Sequence, residues 1–107
     1  MKLNKSLDYN ILRQFAIDNN IDFLAIYGSY YENTQNSNSD LDIIIDTKHN
    51  IDSGTITEYS KKLKRILKID IDIITPRLMI SSLICGYVWR LKQYEIIYGN
   101  PVIYDYE

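Results

Sequence analysis

The sequence predicts an α/β (α+β) fold in which helices flank a small mixed β-sheet. Two observations support this prediction: helical and strand patterns alternate along the chain, and the strand segments are short runs of β-branched and aromatic residues bounded by turn signals. The expected order is helix, strand, loop or short helix, strand, helix, strand, helix, short strand. With 107 residues, the chain is expected to form one domain, 1–107, around a single modest core.

The first elements are predicted from apolar spacing and turn residues. Ser6 can cap a helix that the Asn-Asn pair at 19–20 ends. Its inward face consists of Leu7, Ile11, Leu12 and Phe15. The nearly continuous apolar segment 21–27, "IDFLAIY", predicts a buried strand that Gly28 ends. Residues 29–39 are polar and predict a loop that begins with a short helical turn.

A second strand is predicted at 41–46, "LDIIID", and the polar segment 48–55 leads from it into another amphipathic helix. The apolar face of that helix is formed by Ile56, Tyr59, Leu63, Ile66 and Leu67. A third strand follows at 69–75, "IDIDIIT".

Pro76 ends the third strand and is placed to open a last helix, for which Gly99 is the expected C-cap. That helix would run through Met79, Leu83, Val88 and Leu91. Residues 101–106, "PVIYDY", are expected to form a short closing strand. The apolar part of the last helix is too short to cross a bilayer.

Charge and cysteine content narrow the functional classes. The formal net charge is −2, and the basic run at 61–68, "KKLKRILK", carries apolar residues at helical spacing, so we interpret its lysines as a solvated helix face. A nucleic-acid partner is therefore not expected. The single cysteine, Cys85, excludes an internal disulfide, and the first twenty residues lack the pattern of a signal peptide. We expect a soluble cytoplasmic protein with no membrane association.

Alternating aspartates indicate a metal site. Asp40 and Asp42 point the same way if the strand extends through both, and Asp70 and Asp72 follow the same rule in the third strand. If these strands are neighbours, at least three carboxylates cluster, and such a cluster usually requires a cation. Oxygen ligands favour Mg²⁺ or Mn²⁺, which typically share their coordination with substrate phosphates. The implied substrate is a nucleoside triphosphate.

Gly28 and Ser29 follow the first strand, where a small residue lets the backbone approach a ligand and the amides can bind an anion. These two residues could therefore hold the terminal phosphates of a nucleotide. Two ions about 3.5–4 Å apart could then clamp the attacking and leaving oxygens of an in-line displacement at phosphorus. Aspartates at strand ends also serve as turn and capping residues, so the alternation alone does not establish this site.

The Gly28–Ser29 pair is followed, after ten residues, by the Asp-Leu-Asp motif at 40–42 and later by the "IDIIT" segment at 71–75. In the spacing of these motifs the sequence resembles the DNA polymerase β-like nucleotidyltransferase superfamily. The likeness is greatest to its minimal single-domain members, the MNT antitoxins of HEPN/MNT toxin–antitoxin pairs. The resemblance implies that Asp40 and Asp42 bind two Mg²⁺ ions and that Asp72 completes the site and helps to activate the attacking hydroxyl. Asp70 is the alternative third carboxylate.

The resemblance also implies transfer of AMP from ATP, with release of pyrophosphate, to a tyrosine of a partner HEPN toxin. Where the family usually reads Ala-Arg-Gly, this chain has Tyr31, Glu32 and Asn33, which removes a positive charge near the phosphates and adds a negative one. Two other functions therefore stay open: an antitoxin that only masks its partner, and an enzyme acting on RNA ends or a small molecule. Tyr30 and Tyr31 could also stack on a base or accept a nucleotide. A homo- or hetero-oligomer is consistent with either function.

Overall fold

The structure is a computed structural model that describes residues 7–49, 51–76 and 93–101. Helices and strands alternate as predicted. In chain order the elements are α1 (Tyr9–Asp18), β1 (Phe23–Tyr27), α2 (Ser29–Glu32), β2 (Leu41–Asp46), α3 (Ser53–Leu67), β3 (Ile71–Ile74) and β4 (Tyr94–Gly99). Most of the last helix predicted from the sequence lies in 77–92, outside the described residues, but its predicted continuation to Gly99 is wrong, because Tyr94–Gly99 form strand β4. Most of the predicted strand at 101–106 also lies outside the described residues.

The four strands form one mixed sheet in the order β3-β2-β1-β4. Strand β1 is antiparallel to both of its neighbours, β2 and β4, whereas β2 and β3 are parallel. A parallel pair requires a crossover connection, and α3 lies in the segment that joins β2 to β3. The small mixed sheet with flanking helices that the sequence predicts is therefore confirmed.

Apolar residues are buried on both faces of the sheet. On one face Leu24 and Ile26 of β1 belong to a cluster that includes Leu12 of α1 and Leu63 of α3. The other face carries a second cluster of Phe23, Ala25, Tyr27 and Ile44. Burial on both faces explains why β1 is apolar at every position, since a strand with one solvated face would alternate.

Helix α1 begins at Tyr9 and is capped by Asp8, not by Ser6 as the sequence suggested. The Asp8 carboxylate accepts a hydrogen bond of 2.9 Å from the Asn10 backbone N–H, while the Asp8 backbone is extended. A carboxylate one residue before the helix satisfies one of its free amides and favours this start. The predicted end is confirmed, because Asn19 is the C-cap.

Helix α3 packs on the sheet through Tyr59 and Leu63, which are buried as predicted. Ile66 was assigned to the same face, but 52% of it is exposed. With 3.6 residues per turn, Leu67 lies about 40° from Leu63 around the helix axis, whereas Ile66 lies about 60° away on the other side. The partly buried Leu67 therefore contacts the core at the end of the helix, and Ile66 faces solvent.

Gly99 ends strand β4, so its predicted role as a helix C-cap is wrong. Its φ is +73°, and a Cβ at this position would overlap the Asp22 carbonyl. The close passage of two backbones therefore requires glycine here. Among the residues described, no helix has both the length and the apolar character needed to cross a membrane.

Candidate active site

Two aspartates lie side by side at the start of the parallel strand pair. Asp42 of β2 is the register partner of Asp72 of β3 and, on its other side, of Tyr27 of β1. Because register partners share a face, the two carboxylates project from the same side of the sheet, about 4.8 Å apart at the backbone. The expectation that the third strand lies beside the second is confirmed, and the aspartate beside Asp42 is Asp72.

The carboxylate of Asp42 is half-buried, and its environment disfavours the charged form. Burial, as the largest cause, and the negative charges of Asp72 and Asp40 together raise the pKa of Asp42 from 3.8 to about 6. All three predicted carboxylates therefore interact electrostatically around Asp42. A bound cation would relieve this repulsion and return Asp42 to its ionised form.

Gly28 provides the space that the Asp42 side chain occupies. Gly28 has a φ of +73°, and a Cβ built on it would overlap Oδ2 of Asp42 and lie 3.2 Å from Cγ. It is followed directly by Ser29, the first residue of α2, and Gly28 accepts a 3.0 Å hydrogen bond from the Glu32 N–H. The glycine therefore lets the Gly-Ser bend pack against the carboxylate, which brings the predicted phosphate-binding residues to the predicted metal ligand.

Asp40 and Asp70 precede their strands and lie near helix α3. Asp40 lines a cleft of about 320 Å³ together with Asp70, Lys61 and Lys64. The Asp70 carboxylate forms an ion pair of 2.6 Å with Lys64 Nζ, and the Asp70 carbonyl accepts a 2.8 Å hydrogen bond from the Leu41 N–H. Asp70 is therefore engaged with α3 and is not the carboxylate paired with Asp42.

Across residues 7–49, 51–76 and 93–101, no group of three or more His, Cys, Asp or Glu side chains is arranged to hold a metal ion as it stands. The paired carboxylates of Asp42 and Asp72 nevertheless fit a hard cation, because Mg²⁺ is commonly held by one or two carboxylates together with water and substrate phosphates. Asp40 is the nearby third oxygen donor that the sequence predicted.

Several neighbouring side chains differ from what the sequence suggested. Tyr30 is 5% exposed and packs in the core cluster on the α1 and α3 side of the sheet, so it cannot stack on a base in this conformation. Tyr31 is only partly buried. Lys64 was not singled out, since its spacing is that of a solvated helix face. The only sequence signal for it was the short connection from α3 to β3, which places Lys64 six residues before Asp70.

Residues 10–105 of the chain match the family described as "Polymerase beta, Nucleotidyltransferase". The chain belongs to the polymerase β nucleotidyltransferase family. The match extends from α1 beyond β4, so it includes both the Gly-Ser bend and the paired aspartates.

Two relatives of this family member are protein adenylyltransferases by name. The Methanocaldococcus jannaschii protein MJ0126, provisionally named a protein adenylyltransferase, is 35% identical over 75 residues, which cover 70% of this chain and 72% of that protein. Protein adenylyltransferase MntA of Shewanella oneidensis is 27% identical over 112 residues, covering 96% of this chain and 80% of MntA.

Solved structures with the same fold come from toxin–antitoxin complexes. A crystal structure of a toxin–antitoxin with AMP-PNP matches with a TM-score of 0.73 and 25% identity over 88% of this chain and 75% of that chain. The tri-AMPylated Shewanella oneidensis HEPN toxin in complex with MNT antitoxin matches with a TM-score of 0.63 and 21% identity over 86% and 70%. At the latter identity the likeness shows the fold alone.

Proposed function

We propose that this chain is a Mg²⁺-dependent adenylyltransferase of the cytoplasm that transfers AMP from ATP to a hydroxyl, and that the hydroxyl belongs to a tyrosine of a partner HEPN toxin. The observation that carries the proposal is the Asp42–Asp72 pair packed beside the Gly28 bend. The similarity to MntA and to a toxin–antitoxin complex with AMP-PNP supports the nucleotide and the partner.

In this proposal each site residue has a distinct role, and the single domain 1–107 provides all of them. Asp40, Asp42 and Asp72 hold two divalent cations, Mg²⁺ or alternatively Mn²⁺, and the Gly28–Ser29 bend binds the triphosphate. The ions, when bound, neutralise phosphate charge and polarise the reacting phosphoryl group. The absence of a side chain at Gly28 leaves the space that the Asp42 carboxylate occupies beside the bend, so the metal ligand and the triphosphate-binding residues are adjacent.

The transfer step replaces one bond to the α-phosphorus of ATP by another. The acceptor hydroxyl oxygen forms a bond to the α-phosphorus while the bond from that phosphorus to the bridging oxygen breaks. Pyrophosphate leaves with the bonding electron pair, and the Asp72 carboxylate accepts the proton of the attacking hydroxyl. Asp72 suits this task because it is the register partner of Asp42 in the parallel strand pair, which places both side chains on one face, and because it is exposed to an incoming acceptor.

A second candidate is an antitoxin that binds its partner without chemistry. The observation that favours it is Glu32, an exposed carboxylate in the short helix that follows the phosphate-binding bend. A negative charge there opposes the approach of a triphosphate, whereas an arginine would favour it. This candidate keeps the fold and the partner but needs neither nucleotide nor metal.

The two candidates separate in one experiment. We would incubate the purified protein with labelled ATP, Mg²⁺ and its HEPN partner, and compare it with an Asp40→Asn, Asp42→Asn double variant and with Asp18→Asn, an exposed aspartate on α1, as a control. Adenylyl transfer predicts label on the partner with wild type and the control but not with the double variant. If the double variant still neutralises the toxin in full, masking is the function. A parallel reaction with RNA in place of the partner tests the third function, and label on that RNA would indicate transfer to RNA ends.

A further inference from the structure

Asp70 and Lys64 form an ion pair at the edge of the active site that the transfer reaction itself does not use. Lys64 Nζ lies 2.6 Å from Asp70 Oδ1, and both side chains line the same cleft as Asp40. The Asp70 backbone is also held in place, because its carbonyl accepts a hydrogen bond from the N–H of Leu41, the residue between Asp40 and Asp42. The backbone that carries Asp70 is therefore joined to the segment that carries the proposed metal ligands.

Lys64 is within electrostatic reach of two carboxylates. Its hydrogen bond and its attraction to Asp70 raise the pKa of its ammonium group most strongly, and Asp40 raises it to a smaller extent. Because both the lysine and Asp70 are largely exposed, at 63% and 64%, the lysine side chain can exchange partners at small cost. Without Asp70, its remaining acidic neighbour in the cleft is Asp40.

We propose that Asp70 is a positioning residue: it holds the Lys64 ammonium away from Asp40 so that the Asp40 carboxylate stays available to the catalytic cations. The inference rests on the proposed function, since it assumes that Asp40 binds metal. It also explains why a second aspartate alternates with Asp72 in "IDID" although it takes no part in the pair with Asp42.

A double-mutant cycle tests this role through metal affinity. Mn²⁺ binding in the presence of a non-hydrolysable ATP analogue would be measured by electron paramagnetic resonance for wild type, Asp70→Asn, Lys64→Met and the combined variant. We expect Asp70→Asn to weaken Mn²⁺ binding about two- to fivefold, the range of an exposed ion pair. In the Lys64→Met background the same change should have almost no effect, because no ammonium group remains to compete for Asp40.

The cycle distinguishes this role from a simple field effect. If Asp70 acted only through its own negative charge, Asp70→Asn would weaken Mn²⁺ binding equally in both backgrounds, and that result would overturn the proposal. Lys62→Met and Glu58→Gln are the controls, since both residues are exposed on α3 and neither lines the cleft. They should leave Mn²⁺ affinity unchanged, and thermal melting would check that every variant is folded.

The proposed function can fail separately. If wild-type protein takes up no Mn²⁺ together with the nucleotide analogue, the nucleotidyltransfer site itself is refuted. If wild type binds Mn²⁺ and the cycle shows no coupling between Asp70 and Lys64, only the positioning role is refuted.

Discussion

Replacing Asp42 by asparagine should remove a proposed metal ligand and at the same time stabilise the fold at neutral pH. The pKa of Asp42 is about 6 in the folded protein against 3.8 without the fold. A difference of this size corresponds to about 3 kcal/mol. Asp42 is only half-buried, so solvent screening reduces the cost of its charge to about 1–1.5 kcal/mol.

The sign of the pH dependence follows from the raised pKa. A carboxyl that is harder to ionise in the folded protein binds more protons there than in the unfolded chain between pH 3.8 and about 6. Wild type should therefore lose stability relative to Asp42→Asn as the pH rises through this window. The gain of the variant should be near zero at pH 3.5 and should reach its full size above pH 6.

Urea unfolding of both proteins at a series of pH values from 3.5 to 8 would measure this difference in the free energy of unfolding. Ile44→Val is the matched control, because Ile44 lies two residues along the same face of β2 and does not titrate. Its cost, about 0.5–1.5 kcal/mol, should stay constant with pH. A gain for Asp42→Asn that does not vary with pH, or a loss of stability at pH 7, would refute the argument from repulsion and burial.

Three further predictions concern backbone, packing and hydrogen bonding. Gly28→Ala should abolish label transfer and lower the free energy of unfolding by about 1–3 kcal/mol, because the new methyl group overlaps a carboxylate at a positive φ; activity at the wild-type level would contradict the assigned role of this glycine. Leu63→Ala should cost about 2–5 kcal/mol in urea unfolding, whereas Ile66→Ala should cost less than about 0.5 kcal/mol; equal costs would show that the assigned helix face is wrong. Tyr9→Phe should remove the 3.0 Å hydrogen bond to Glu95 and lower the free energy of unfolding by about 1 kcal/mol. The variant should also lose the tyrosine that titrates at a pKa of about 12 in a spectrophotometric titration, and an unchanged titration curve would argue against that bond.

The fold was predictable where a short segment carried its own signal. The continuous apolar run of β1 predicted a buried strand, and the alternation of helix and strand predicted a small mixed sheet with helices packed on it. That β2 and β3 are parallel neighbours is seen only in the structure. The prediction for Gly99 failed because the contact that requires glycine there is with Asp22, a residue distant in sequence. Ile66 was misassigned because small angular differences around a helix decide burial only once the partner surface is known.

The site was predictable to the same extent. Asp42 and Gly28 were found from local spacing, and their contact follows because a strand and the bend after its antiparallel neighbour meet at one edge of the sheet. Tyr30 was the misleading residue, since its position beside the bend suggested exposure whereas its side chain packs in the core.

The sequence by itself indicated helices α1 and α3, strands β1 to β3 and the residues that can carry the chemistry, because apolar periodicity and turn residues act over a few positions. It did not indicate strand β4. Only the tertiary structure shows which aspartate of "IDID" lies beside Asp42. The parallel register of β2 and β3 sets Asp72 against Asp42, while the end of α3 brings Lys64 to Asp70. Such pairings depend on how separate elements dock, and no local pattern contains that information.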